Sequence, residues 1–477
     1  MARYILTHKR AGLHSLEQLG DSRKLLEEAL KKIPNKMIHE HFVPEDPHGR
    51  HTVVLEAEPR EIAALKKVMD KSLILEREVR HKPHAQTSTQ VDVKGGGAPL
   101  DAARITIYYA EDGALSTLPF AFTGRTGRAV VTYDSSIEPV FVIAEPAGDF
   151  WSIFTETPTS HVRFRCPTLP RATPLEWWHR VVGVKKYDER RGKGIRVGVV
   201  GTGVGPHPRL RHVVLIDGKP DVERHETHVC GIIAARPSGK GEFAGIAPGA
   251  SVFSARIFSA GPSGEPVPDH QGVIADAIER LARPLGQNGF AADLINLSFG
   301  SPEPSAVLRD AIQWAFEQGT LCICSTGNTS GGAIEYPAAF RETVAVTALG
   351  KVGWGPLHST GKHWVPTEAD RFGQHKLFLA GMSAIGAKVD CTAPGNGIIS
   401  TIPKSRGNPA PYGAMDGTSM ASPMACGVLA AVLSDLPAYR ALPRTAARAR
   451  MARKILRDHC TTIGLKPEYE GKGLPII

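Results

Sequence analysis

The chain has 477 residues, of which 42% are hydrophobic and 22% charged, with 49 Gly and 36 Pro; it is too long for a staple-dependent miniprotein and too apolar for a wholly disordered chain. Lys and Arg number 57 against 48 Asp and Glu, a net charge of +9, which without clustering leaves no nucleic-acid footprint. The 7 cysteines are odd in number and scattered, so neither a disulfide framework nor a paired metal site is expected, and a reducing compartment is favoured.

In chain order, RYILTH at 3–8 reads as a strand and 16–33 as an amphipathic helix with Leu and Ile at three-to-four spacing. Strands are expected at 37–43 and 51–57, a helix at PREIAALKKVM with proline at its start, and a strand at LILEREV. The βαββαβ order suits a two-layer, ferredoxin-like α+β domain over 1–80, because neither layer buries its apolar face alone. Residues 81–97, polar and ending in three glycines, are expected as a linker. Alternating segments between turns then predict a small β-sandwich over 98–168, with Trp151 and Phe154 filling its core. Its role reads as a spacer or a binding surface.

From 169 to 477 the pattern changes. The apolar runs IRVGVVGTGV, SVFSARIF, ADLINLSFG, TLCICSTGN and ETVAVTAL alternate with helix-like segments, which predicts an α/β fold with a doubly wound, mostly parallel sheet and a site beyond its carboxyl edge. Cys322 and Cys324, two apart in a strand, are expected as buried side chains on one face.

The blocks HETHVCGIIAA at 225–235, GIAPGA at 245–250, INLSFG at 295–300, STGN at 325–328 and DGTSMASPMACGVLAAVL at 416–433 together resemble the subtilisin family of serine peptidases. Ser419 follows a glycine turn and opens an apolar helix, where its hydroxyl lies near free backbone donors. The resemblance implies Ser419 as nucleophile, His225 as general base and Asn328 as donor to the oxyanion, with His228 a packed helix residue. It further implies that Ser298-Phe299-Gly300 and Ser325-Thr326-Gly327 line the main specificity pocket and pair with an extended peptide.

One family element is missing. The strand that should end in the triad aspartate reads VVGTGV, with Gly201 at the acid position and Gly205 where another acid often stands. Glycine neither accepts from the imidazole nor stabilises its cation. Among nearby acids Asp217, Asp221, Glu223 and Glu226, the candidates for a compensating acid are Asp217, after a strand-like VVLI, and Glu226, which replaces the family's usual small glycine. The other readings are a Ser–His dyad, completion by conformational change or a partner, and loss of catalysis.

The N-terminal domain resembles the subtilisin propeptide, which implies an intramolecular inhibitor, with residues near 78–92 passing through the cleft, and autoprocessing of a zymogen. No cofactor is required; the family leaves room for structural calcium, but no calcium loop is spelled out. Gly201-x-Gly203-x-Gly205 is not a nucleotide fingerprint, because Pro206 and Pro208 interrupt the helix it would need. Seven basic residues between Arg440 and Arg457, opposed in sequence only by Asp458, read as a solvated helix face. The start MARYILTHKRAG is not a secretory signal and no segment is apolar enough to span a bilayer, so a cytoplasmic protein without membrane or nucleic-acid partners is expected. The functional expectation is a serine endopeptidase acting on proteins or peptides; the alternative is a pseudopeptidase that binds extended peptides or serves as a scaffold.

Overall fold

The computed structural model describes residues 2–8, 24, 26–31, 37–41, 52–69, 72–77, 86–111, 114–118, 121–134, 137–156, 158–170, 173–261, 266–405 and 408–477. The N-terminal sheet is antiparallel, in the order Met37–His41, Thr52–Ala57, Ala2–His8, Leu73–Arg77. The helix Pro59–Val68 precedes the last strand, with proline in its first turn and a Glu58–Glu61 capping box. Of the helix expected at 16–33, only residue 24 and residues 26–31 are described, and they are helical. Leu6, Leu26, Val53, Leu55, Leu65 and Leu73 form this domain's own small core.

Most of the expected linker is a strand. Gln86–Gly95 is the middle strand of a sheet, antiparallel to Arg128–Asp134 and parallel to His161–Cys166. Thr89, Val91 and Val93 are buried while Gln90, Asp92 and Lys94 are not, a period-two pattern that the polar composition conceals. The second sheet runs Ile153–Thr155, Pro139–Glu145, Arg104–Glu111, Ala114–Thr117. Trp151 and Phe154 do more than fill this domain: Trp151 packs edge-on against Trp354 at 5.6 Å and Phe154 against His363 at 4.7 Å. Ser152 Oγ donates to Ala414 O at 2.8 Å. One apolar core runs from the two sheets into the large domain, so the β-rich unit is fused to it rather than spaced from it.

The large domain's sheet has the order Val214–Leu215, Ser251–Arg256, Arg196–Gly201, Leu294–Leu297, Leu321–Ser325, Val344–Lys351, Leu377–Leu379, with Cys391–Pro394 also beside Val344–Lys351. Its ladders are parallel except that of Leu377–Leu379. Because side chains alternate faces, Ile323 joins the core under the helices His225–Ala234 and Thr418–Ser434. Cys322 and Cys324 face the helices Gln271–Ala282 and Ala306–Glu317, as their spacing predicts.

The N-terminal domain packs on that second helix pair. Ile74 joins its core, Thr52 fills the space above Gly272, and Glu76 meets the start of Ala306–Glu317, accepting from Ser305 Oγ at 2.8 Å and from Ala306 N at 2.9 Å. A carboxylate there answers the free N–H groups and the positive end of the helix dipole. The basic C-terminal helix Ala446–Asp458 is not simply a solvated face. Arg448 is buried and pairs with Asp293 at 2.7 Å, joined by Arg444, while Arg457 pairs with Asp390; the opposing acids come from distant strands, which the local sequence does not reveal.

Candidate active site

Gly417 precedes the helix Thr418–Ser434 with φ of 153°, a conformation open to glycine. Ser419 is the helix's second residue and is half-buried. Pro423 lies four residues on and has no N–H to donate, so the Ser419 carbonyl lacks its helical partner. Ser298 Oγ supplies it, donating to Ser419 O at 2.9 Å, while Ser419 Oγ donates to Ser298 O at 3.3 Å. Behind this pair, Asn296 Nδ2 donates to Ser298 Oγ at 2.9 Å and Ser422 Oγ to Asn296 Oδ1 at 2.6 Å. The turn that carries Ser419 is thus fixed against the carboxyl end of Leu294–Leu297.

Asn328 follows the strand Leu321–Ser325 and is exposed. Its Oδ1 accepts from Thr418 N and Thr418 Oγ1, each at 3.0 Å. A backbone N–H only donates, so this bond sets the amide's orientation and turns Nδ2 away from Thr418, free to donate in the cleft.

His225 opens the helix His225–Ala234. Asp221 prepares that start by accepting from Glu223 N and Arg224 N, each at 2.8 Å, and from Thr227. Glu223 Oε2 accepts from His225 N at 2.8 Å and its other oxygen pairs with Arg104. Arg224 holds φ of 111°, a strained value for a non-glycine residue, and its guanidinium donates to Glu145 O at 2.8 Å and Pro146 O at 3.1 Å. Arg104 and Glu145 come from the β-rich unit, which therefore braces the histidine turn. Burial lowers the His225 pKa, against the opposing pull of Glu223, so the imidazole is neutral and able to accept a proton near neutral pH. His228 is wholly buried, its Nε2 shared between Ile398 O and Gly413 O at 3.1 Å, and burial drives its pKa to about 3; it is a packed residue.

Ser419 and Asn328 are thus joined through Thr418 at the carboxyl edge of a parallel sheet, and His225 opens the helix whose next residue, Glu226, reaches Gly201 at the end of a neighbouring strand. Residues 192–464 match the family described as Subtilase family. The chain belongs to that family of serine peptidases. Subtilisin Savinase of Lederbergia lenta is 31% identical over 289 residues, covering 59% of this chain and 89% of that protein. M-protease of Shouchella clausii (strain KSM-K16) is 32% identical over 254 residues, covering 52% of this chain and 56% of that protein, so the chain spans about half the length of that relative. A solved structure, S41 Psychrophilic Protease, superposes with a TM-score of 0.50 at 24% identity, covering 65% of this chain and all of that one, a likeness of fold alone.

For a subtilase, the surroundings of Gly201 are unusual. A Cβ built on Gly201 would lie 3.0 Å from Glu226 Oε2. Glu226 turns inward from the histidine helix, accepting from Gly203 N at 2.5 Å and from Ser254 Oγ at 2.7 Å. Burial pushes its pKa well above the carboxylate range, against the hydrogen bonds from Ser254 and Gly203. Asp217 is engaged elsewhere, accepting from Arg256 N at 2.9 Å and Lys219 N at 3.1 Å. Of the two candidate acids, the structure brings Glu226 to Gly201.

The segments 298–300 and 325–327 lie on either side of Glu335, whose backbone N donates to Thr326 O at 2.9 Å, while Ser301 and Tyr336 form an antiparallel bridge. Sequence reasoning missed Glu335, Arg104 and Glu145, because each reaches the site across a gap of many residues. Among the described residues no group of three or more His, Cys, Asp or Glu could hold a metal ion, and no helix is long and apolar enough to cross a membrane.

Proposed function

We propose that the protein is a serine endopeptidase whose triad acid has moved from the strand end at Gly201 to Glu226 on the histidine helix. The observation that carries this reading is the 3.0 Å approach of Glu226 Oε2 to the Cβ position of Gly201. The carboxyl fills the volume into which an aspartate at 201 would extend, and the absence of a side chain at 201 is what admits it. Strand and helix have exchanged an acid for a glycine.

In this reading Ser419 Oγ attacks the scissile carbonyl carbon and gives its proton to His225. The oxyanion is held by Asn328 Nδ2 and the Ser419 N–H, the imidazolium passes its proton to the leaving amine, and water then deacylates the enzyme by the reverse sequence. Glu226 is assigned the place of the triad acid, and an imidazolium forming at His225 favours its ionised form against the burial that disfavours it. The substrates are proteins or peptides, in keeping with relatives named as proteases.

The N-terminal domain acts as an intramolecular inhibitor. Its docking through Glu76, Thr52 and Ile74 onto two helices of the large domain supports this. Of the segment expected in the cleft, residues 86–92 lie instead in the strand Gln86–Gly95, paired on both sides within the β-rich unit, and residues 78–85 fall outside the described residues.

Fluorophosphonate labelling tests the activity: the chain with its N-terminal domain loosened by Glu76→Ala takes one adduct at Ser419, and His225→Ala abolishes it. Unlabelled protein with intact folding would instead point to the pseudopeptidase. Intact mass of the native chain after incubation, beside Ser419→Ala, tests autoprocessing, which requires a mass loss only in the native chain.

A further inference from the structure

We propose that Glu335 makes the main specificity pocket selective for Lys or Arg at the substrate residue preceding the cut; this rests on the peptidase reading above. The two pocket walls, 298–300 and 325–327, each end in a glycine. Glu335 is tied between them, its N–H donating to Thr326 O at 2.9 Å, while Tyr336 exchanges backbone bonds with Ser301 at 2.8 and 2.9 Å. Its side chain extends into the gap. Glu335 Oε2 lies 2.5 Å from a Cβ built on Gly327, and a Cβ on Gly300 would collide with the same oxygen. The carboxylate therefore occupies the space that both glycines leave by having no side chain.

This half-buried group differs from the other acids near the site. Glu145 and Glu223 share Arg104, and Glu226 has two donors. Among the described residues no hydrogen bond or ion pair of the Glu335 carboxylate is present, and burial alone raises its pKa. An ionised carboxylate in such a place is unfavourable until a cation meets it. A Lys ammonium or Arg guanidinium entering between the walls provides that cation, whereas a Leu or Phe side chain would deepen the burial and leave the charge unpaired.

The test uses full-length protein and peptide anilides that differ only in the residue before the anilide: Lys, Arg, Leu, Phe or Glu. The expected order places Lys and Arg first and Glu last, and Glu335→Gln lowers the Lys-to-Leu ratio of kcat/KM by about 10- to 100-fold. A native preference for Leu or Phe, or an unchanged ratio in Glu335→Gln, overturns the proposal. A second readout does not depend on catalysis: calorimetric binding of benzamidine to Ser419→Ala, with and without Glu335→Gln, both checked for native melting. Binding that is lost with the Gln substitution upholds the carboxylate as the cation site; binding that is equal or absent in both overturns it. If no anilide is cleaved and fluorophosphonate does not react, the peptidase reading has failed, and benzamidine alone decides the pocket.

Discussion

The exchange between Gly201 and Glu226 makes a reciprocal prediction. Glu226→Gln keeps the side chain's shape but removes the ionisable carboxyl; loss of the acid's charge from a Ser–His–Asp triad costs about 10⁴-fold in turnover, or about 5.5 kcal/mol of transition-state stabilisation. Glu226→Gly adds a structural cost, because Gly203 N and Ser254 Oγ lose their shared acceptor, about 1–3 kcal/mol for each donor left dry. Gly201→Asp alone also fails. Its Cβ would meet Glu226 Oε2 at 3.0 Å, and two carboxyls in one buried site cannot both ionise. The double change Gly201→Asp with Glu226→Gly restores the family's usual placement and should return kcat to within about tenfold of the native value, a recovery far beyond the sum of the single effects. Steady-state hydrolysis of a peptide anilide, with thermal melting as a folding control, measures all four proteins. A Glu226→Gln enzyme within a few-fold of native kcat, or a folded double variant as inactive as either single one, would refute the reasoning.

Three further outcomes follow from the geometry. Asn328→Ala should lower kcat about 10²- to 10³-fold with little change in KM, since the lost donor faces the oxyanion rather than the bound substrate; an equal loss in KM would assign the residue to ground-state binding. Glu76→Ala removes the acceptor at the start of Ala306–Glu317 and should weaken docking of the N-terminal domain by about 1–2 kcal/mol, roughly 5- to 30-fold; the full chain's peptidase rate should rise, and an unchanged rate would argue against the inhibitor role. The Glu145 carboxyl is pushed up by burial but held below its ordinary value by the stronger combined pull of Arg104, Arg224 and His225. A depressed folded pKa gives stability that is present above the unfolded pKa, about 4.3, and lost as pH falls through the folded one. Melting temperature should therefore fall more steeply below about pH 4 in the native chain than in Glu145→Gln, and parallel curves would show that the brace is not linked to acid unfolding.

The sheet of the large domain was legible because its strands, covered on both faces, are continuous apolar runs, and the strand Leu321–Ser325 follows from LCICS directly. Ser419, His225 and Asn328, the proposed nucleophile, base and oxyanion donor, were legible as candidates because short local motifs carry them. Gln86–Gly95 was not, because Thr, Gln, Asp and Lys on its exposed side outweighed the buried Val91 and Val93 in a composition-based reading. The role of Arg448 was hidden for a different reason: its partner Asp293 ends no motif and is far away in the chain. Glu226 stood out as a departure from the family block, yet only three dimensions show that its carboxyl lies at the glycine that replaced the acid. Glu335 carried no local sign at all, since the pocket it enters is assembled from three separate segments.

The central claim is that Ser419 is a nucleophile served by His225. Intact-mass measurement after fluorophosphonate treatment tests it most directly, using the full chain, the Glu76→Ala chain with its N-terminal domain loosened, and both again with His225→Ala. One adduct on Ser419 in the Glu76→Ala chain, absent once His225 is replaced, is the predicted result; no adduct in any of the folded proteins would contradict it.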